Sequence, residues 1–437
     1  MEVQPASVPL ARQAGETPYR WYWVEPAVWT ERMLAALEQG VKGGIWYSLI
    51  DKVYSHKNLM AAMIKVATNK GAAGVDHVKC EEFTRNGLEN LKKLKEQLRT
   101  GTYQPQAIRR VWIPKPGSTE KRPLGIPTVR DRVVQKAIVN VLEPIFEQDF
   151  ADTSYGFRPG RGAQQALDRI EELLEAGHHY VVDADLKSYF DTIPHDRLLA
   201  RIREKVADGR LLGLIESFLK AGILEGTSEW TPIAGAPQGA VLSPLLSNLY
   251  LDPLDQQMRV RGYQMVRYAD DLVILCRSKA EADAALAELQ QWVNANGLRL
   301  HPDKTRVVDG RTETFDFLGY RYDRDKRYVR PKSLEKLKET VRAKTKRTSG
   351  RSMPVIIKDL NRTLRGWYGY FRRCHQTVYA TLDGWIRKRM RSLLRKRTKR
   401  KGISRHGADE RRWPNSYFAE AGLYSLKTAH AQAANPP

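Results

Sequence analysis

The hydrophobic pattern of this chain switches between two periods. Met265 and Val266, then Leu272 through Leu275, frame Tyr268-Ala269-Asp270-Asp271, which predicts strand, tight turn and strand. Val181-Val182-Asp183-Ala184-Asp185 opens as another strand and runs to a turn or helix start before Pro194. Leu298-x-Leu300 is strand-like, and Val111 to Ile126 reads as a hairpin punctuated by Pro and Gly. Between these pieces the spacing becomes helical. Val134, Ile138, Val141 and Ile145 form one stripe, and Ala282, Leu286, Leu289 and Val293 another. A third, Leu245, Leu246, Leu249, Tyr250 and Leu254, predicts a helix from about Ser243 to Met258. Leu360, Leu364, Trp367 and Phe371 give an amphipathic helix with basic faces. Strands mixed with helices, then helices alone, predict an α+β region followed by an α-helical one.

The acids in these strands carry the first chemical signal. Apolar strands beside Asp270 and Asp271 make unpaired carboxylates costly, because burial strips their hydration. Holding a hard divalent cation through oxygen ligands would account for them. An Asp-rich β-turn would account for the pair equally well if it stood alone. Asp183 and Asp185 change that balance, since a strand-end carboxylate there can meet the hairpin in one sheet. Three carboxylates on neighbouring strands suit two Mg²⁺ ions roughly 3.5–4 Å apart, the arrangement of two-metal phosphoryl transfer. One ion would lower the pKa of an attacking 3′-hydroxyl and the other would take the charge on leaving pyrophosphate. The plainer alternative is that Asp183 and Asp185 only cap and solvate a strand end.

These residues also form a family resemblance. Asp185-Leu186-x-x-Tyr189-Phe190 resembles the first catalytic motif of reverse transcriptases, and Tyr268-Ala269-Asp270-Asp271 resembles their hallmark motif. Gly235-Ala236-Pro237-Gln238-Gly239 with Leu242-Ser243-Pro244-Leu245 is similar to the motif between them. Gly297-Leu298-x-Leu300-x-x-x-Lys304-Thr305 and Phe317-Leu318-Gly319-Tyr320 resemble the two that follow. Ile113-Pro114-Lys115-Pro116, Arg122-Pro123-Leu124-Gly125-Ile126-Pro127 and Ser154-Tyr155-Gly156-Phe157-Arg158-Pro159 come earlier, after Asn69-Lys70-Gly71-Ala72-Ala73-Gly74-Val75-Asp76. In this order, over about residues 58–320, the run is similar to bacterial group II intron reverse transcriptases, the maturases.

The resemblance implies a right-hand polymerase with fingers and palm, followed by an α-helical thumb or maturase domain. It implies Asp185, Asp270 and Asp271 as catalytic and metal-binding residues, with two Mg²⁺ ions as cofactor. It also implies nucleotide contacts from Lys115, Arg122, Phe190, Gln238 and Lys304. Lys115 and Arg122 would face a triphosphate, although solvated hairpin charges are the common alternative. Phe190 falls where the family places a ring under the sugar, which would exclude a 2′-hydroxyl; core packing is its other reading. Glycines around Gln238 let a backbone approach a base or sugar. Lys304 can give a proton to pyrophosphate or be a surface lysine.

Charge adds a partner. Net charge is +23 over 437 residues. From Arg324 to Arg412 there are 30 Lys and Arg against 7 Asp and Glu, so that stretch carries the whole excess. Such a segment binds a polyanion through phosphates with strong salt dependence, unless it is only a solvated tail. Leu360-Asn361-x-x-Leu364-Arg365-Gly366-Trp367-x-x-Tyr370-Phe371 resembles the maturase-specific domain, which in the family binds structured intron RNA. Candidate RNA and DNA contacts are Arg362, Arg365, Arg372, Arg373, Arg387, Lys388, Arg389, Arg395, Lys396 and Arg397. The aromatics there are mostly core, with a minority free to stack on bases.

The implied organisation is a Trp-bearing N-terminal extension over 1–57, fingers and palm over 58–323, a thumb/maturase domain over 324–394 and a basic DNA-binding tail over 395–437. The three cysteines are scattered, so neither a disulfide framework nor a CxxC zinc site is expected. No apolar stretch is long enough to span a membrane, no signal peptide is visible, and a cytoplasmic location is expected. No Cys follows Cys374, which argues against the metal-bound endonuclease of longer family members; mobility would then need a primer made elsewhere. Expected partners are group II intron RNA, target DNA, an RNA template with a DNA primer, and dNTPs. Two other readings stay open: a splicing-only RNA-binding maturase, and a reverse transcriptase diverted to host repair or defence.

Overall fold

The computed structural model describes residues 21–41, 44–114, 121–324, 326–398 and 407–434. Three sheets organise these residues. The central one has the order β6-β7-β3-β8, from β3 (Tyr180–Asp185), β6 (Gln264–Tyr268), β7 (Asp271–Cys276) and β8 (Arg306–Asp309), all antiparallel. Its strands look almost continuously apolar because both faces are covered. Side chains alternate across a strand, so Val182, Ala184, Leu272, Ile274 and Cys276 enter one core while Val181, Val266, Val273 and Leu275 enter another. The helices Val129–Glu147 and Ser243–Val260 fill the first core. The helix Ala163–Glu175 and the thumb fill the second.

The fingers sheet has the order β2-β1-β4-β5, from β1 (Ile108–Pro114), β2 (Lys121–Ile126), β4 (Ile223–Glu225) and β5 (Ser228–Trp230). The hairpin expected over Val111 to Ile126 is β1 and β2, joined along one edge by a second, short hairpin. A three-stranded sheet, β9 (Thr314–Phe317), β10 (Tyr320–Asp323) and β11 (Lys326–Val329), links palm to thumb.

Each predicted helical stripe lies on a helix. Val134, Ile138, Val141 and Ile145 are fully buried on Val129–Glu147, which Thr128 caps by accepting from the Asp131 amide at 3.2 Å. This helix also holds a half-buried acid, Glu143. Burial pushes its carboxyl up to about 7, with Lys136 pulling the other way and Glu147 adding repulsion. The folded chain therefore binds this proton more tightly than the unfolded one. Stability from this group is full below the ordinary value of 4.5 and is lost as pH rises toward about 7. Glu143→Gln is expected to raise the unfolding temperature at about pH 8 and leave it nearly unchanged at about pH 4. An equal gain at both would show that the carboxyl does not titrate in this range.

Near the N-terminus the helix Glu31–Gln39 is capped by Thr30. Residues 21–57 do not stand apart as an extension. Trp29 Nε1 donates to Asn140 O at 2.9 Å, Trp46 N donates to Lys205 O at 2.7 Å, and Trp21, Trp29 and Leu34 share the core of fingers and palm.

The thumb helices are Pro331–Lys344, Met353–Phe371 and Thr377–Arg397. The boundary expected between 394 and 395 falls inside the third of them, so the basic tail is not a separate unit. After it, residues 407–434 fold back onto the thumb, burying Trp413, Phe418 and Leu426 in the same core. Asp383 fastens this return by accepting from Leu426 N at 3.0 Å and Ser425 Oγ at 2.7 Å. Charge density hid these anchors, because the three apolar residues are too far apart in sequence to show a period.

Candidate active site and nucleic-acid interface

The turn between β6 and β7 is two residues long, Ala269 and Asp270. Ala269 has φ +60°, the left-handed region that tight hairpins require and alanine resists. This turn delivers Asp271 to the first position of β7, directly opposite Asp185 at the end of β3. Alternation then places Asp183 on the same face as Asp185 and Asp271. Asp183 lies 3.7 Å from the Arg306 guanidinium.

Electrostatics follow from this crowding. Burial, then Asp270, Asp183 and Asp185, push the Asp271 carboxyl up to about 7. Burial also raises Asp270, with Asp185 adding repulsion. Burial raises Asp183 to about 6 against the pull of Arg306. Buried like charges of this kind favour a cation. Lys304 supplies one, its Nζ lying 2.5 Å from Asp185 Oδ2.

The donor set fits a hard divalent ion, being all carboxylate oxygen. Among the described residues no three Asp, Glu, His or Cys side chains form a preformed cage. Mg²⁺ is suited to such a site, since it keeps several waters and binds through one or two carboxylates plus substrate phosphates.

The nucleotide candidates separate. Phe190 and Gln238 line one cavity of about 580 Å³ with Arg110, Asp191 and Trp230. Arg122 pairs across the hairpin with Ile113, whereas Arg110 and Trp112, which line the cavity, pair with Gly125 and Pro123. Arg122 is therefore exposed on the opposite face of the hairpin. Lys115 lies outside the described residues. The glycines expected to admit a base or sugar are taken up by the protein backbone. A Cβ on Gly239 would sit 2.6 Å from Gly125 O, and one on Gly235 would sit 2.8 Å from Phe190 O.

Aromatics of the thumb reach this site, which the sequence did not show. Tyr370 Oη donates to Leu318 O at 2.8 Å, while Tyr320 Oη and Gln164 Nε2 both donate to Tyr370 O. Burial, then Tyr268 and Asp271 close by, push the Tyr370 hydroxyl up to about 12. The turn Phe317-Leu318-Gly319 is thus pinned to a thumb helix beside the carboxylates.

The ten basic candidates of the thumb divide in the same way. Arg373 pairs with Asp168, Arg395 with Asp409, and Arg389 donates to Thr345 Oγ1 at 3.2 Å. Arg397 is exposed but donates to Arg351 O. Arg387 is half-buried and lines a small cavity with Asp383. Arg362, Arg365, Arg372, Lys388 and Lys396 are exposed. Arg362 and Arg365 line a groove of about 540 Å³ with Lys358, Asn361 and Gly422. The Arg365 guanidinium lies 5.5 Å from the Tyr424 ring, so the returning C-terminal segment forms one wall of the groove.

An antiparallel palm sheet carrying paired acids, with fingers before it and a basic helical thumb after it, defines a template-copying polymerase. The profile of reverse transcriptases (RNA-dependent DNA polymerases) matches residues 113–322, and that of the group II intron maturase-specific domain matches residues 334–413. The chain belongs to the group II intron reverse transcriptases and is an RNA-directed DNA polymerase by family. It is 34% identical over 295 residues to protein YkfC of Escherichia coli K12, a match covering 58% of this chain and 77% of YkfC. It is 42% identical over 191 residues to the group II intron-encoded protein LtrA of Lactococcus lactis, covering 43% of this chain and 31% of LtrA. A partial Cas6-RT-Cas1–Cas2 complex is 26% identical with a TM-score of 0.36, covering 56% of this chain and 42% of that one. The family and the α+β class expected from the motifs are those found. No helix among the described residues is long and apolar enough to cross a membrane.

Proposed function

We propose that this protein copies RNA into DNA from a primer in target DNA, and that it binds a group II intron RNA and assists its splicing. The observation that carries the polymerase half is the register pairing of Asp185 with Asp271 beside a turn that bears Asp270. These three carboxylates would hold two Mg²⁺ ions. When bound, the metal supplies Lewis acidity toward the attacking 3′-oxygen and the leaving pyrophosphate.

The remaining work belongs to side chains. Lys304 balances Asp185 before substrate arrives and, once released, stands near the carboxylates as a proton donor to pyrophosphate. Phe190 and Gln238 shape the pocket, the ring excluding a 2′-hydroxyl and the amide offering hydrogen bonds.

The thumb groove supports the RNA half. Lys358, Arg362 and Arg365 recur at helical spacing on its wall, and none of them is in an ion pair among the described residues. Replacing all three by Gln is expected to weaken intron RNA binding and to flatten the slope of log affinity against log salt by about two. Arg373→Gln, which removes a charge already paired with Asp168, should leave the slope in place. A triple variant with an unchanged slope would mean that the groove does not meet phosphate.

The decisive experiment gives the purified full chain an RNA template, DNA primer, dNTPs and Mg²⁺, and in parallel a cognate intron transcript at a Mg²⁺ level too low for unaided splicing. Extension together with faster splicing is the expected result. Splicing without extension would favour the splicing-only reading, and extension without RNA selectivity would favour a diverted polymerase.

A further inference from the structure

The Ser154-Tyr155-Gly156-Phe157-Arg158-Pro159 run has no chemistry of its own, yet it lies against the catalytic turn. Tyr155 N donates to Arg267 O, and Arg267 N donates to Thr153 O, both at 2.9 Å. The Arg267 side chain is 1% exposed and reaches behind the turn. Its Nη1 donates to Ala269 O at 2.8 Å and to Asn248 Oδ1 at 3.1 Å, and its Nε donates to Asp255 Oδ1 at 2.7 Å. Asp255 is fully buried, and its second oxygen accepts from Arg267 Nη2. Asn248 Nδ2 in turn donates to Gly156 O at 2.9 Å. Arg158 Nη1 holds the loop itself, donating to Ala151 O at 2.6 Å and Ser154 O at 2.9 Å.

We propose that Arg267, held by Asp255 and Asn248 of the helix Ser243–Val260, is the positioning residue that aims Asp270 and Asp271, and that the loop 151–158 closes the cradle around it. A buried ion pair is a poor choice for stability, since well-packed apolar residues of similar volume often serve as well or better. A rigid planar fork has a different use. It fixes the separation between the helix carboxylate and the turn carbonyl, which a flexible ammonium would not. The carbonyl it holds belongs to Ala269, whose left-handed backbone alanine adopts only under constraint. Released, that residue relaxes toward ordinary φ and carries both aspartates with it.

This inference rests on the two-metal polymerase reading, so its test has a readout apart from polymerisation. Arg267→Met combined with Asp255→Leu removes both charges, so no unpaired charge is left buried, and it takes the donor away from Ala269 O and Asn248 Oδ1. In the full chain, unfolding temperature and RNA affinity are expected to stay near wild type. Mn²⁺ binding, followed by electron paramagnetic resonance, should weaken about tenfold. Primer extension should slow about a hundredfold, the loss that a shift near 1 Å brings, with a higher Mg²⁺ requirement. A folded paired variant that matches wild type in both Mn²⁺ affinity and extension overturns the proposal. If the paired variant does not fold, Arg267→Lys decides: it keeps a charge for Asp255 but cannot reach Ala269 O as well, and wild-type behaviour in both assays overturns the proposal. Wild-type protein that binds Mn²⁺ without extending primers would sink the polymerase reading, and the Mn²⁺ comparison would still decide this one. Wild-type protein that does neither would overturn both.

Discussion

Asp270→Ala lowers primer extension by roughly a thousandfold or more, because several kcal/mol of transition-state charge stabilisation go with a metal ligand. RNA binding stays near wild type. The groove that carries Lys358, Arg362 and Arg365 is built from a thumb helix and the returning C-terminal segment, and no side chain of the turn lines it. A second consequence separates a catalytic acid from a structural one. Asp270 repels Asp271, whose carboxyl already stands at about 7. Removing Asp270 relieves that repulsion, so in chelator at neutral pH the variant should unfold no earlier than wild type. Single-turnover extension, a gel-shift titration with intron RNA and a melt in EDTA measure the three. Loss of RNA binding together with extension, or a large fall in unfolding temperature, would mean that Asp270 holds the fold together.

The carboxylates were legible in the sequence because each sits in a short run whose period changes beside it. Tyr268 through Asp271 is a turn between apolar strands, and Asp185 is where an apolar strand stops. Their pairing is a sheet register, and it follows once β3 and β7 are neighbours. Arg267, Asp255 and Asn248 were not legible. Asp255 and Asn248 lie in a helix whose visible stripe is leucine, and nothing in the spacing says that its polar residues face an arginine 12 and 19 positions on. In the sequence Tyr370 is one of a cluster of aromatics, and its bond to Leu318, which spans 52 residues, leaves no local sign.

The thumb shows the same limit from the other side. Its net charge was plain, but sequence cannot say which arginines are already spent. Arg373 and Arg395 meet Asp168 and Asp409, and only folding brings those acids into reach. Glycine motifs were similarly half-readable. They do mark close approach, but on either side of Gln238 the atoms approached are the protein's own: Phe190 O at Gly235 and Gly125 O of the fingers strand at Gly239.

Gly156→Ala is the smallest change expected to disable the site. A Cβ built there would sit 2.3 Å from Ala269 N and 2.9 Å from Tyr268 C. Both are backbone atoms of the catalytic hairpin, so no flexible side chain can swing aside. The loop cannot easily give way either: Gly156 O accepts from Asn248, and Tyr155 N is bonded to Arg267 O. The strain therefore passes into the turn. Overpacking of this sort costs about 1–3 kcal/mol of stability, while a displacement near 1 Å costs about a hundredfold in rate. Gly213→Ala provides the contrast. It is an exposed glycine within the helix Gly209–Leu219 with nothing within 4 Å of the added methyl. There the substitution should stabilise the helix by up to about 1 kcal/mol and leave extension untouched. Thermal melts and primer extension on both variants give the comparison. If Gly156→Ala loses stability but keeps its rate per folded molecule, the loop yields instead of the turn, and the hairpin is not held by what stands behind it.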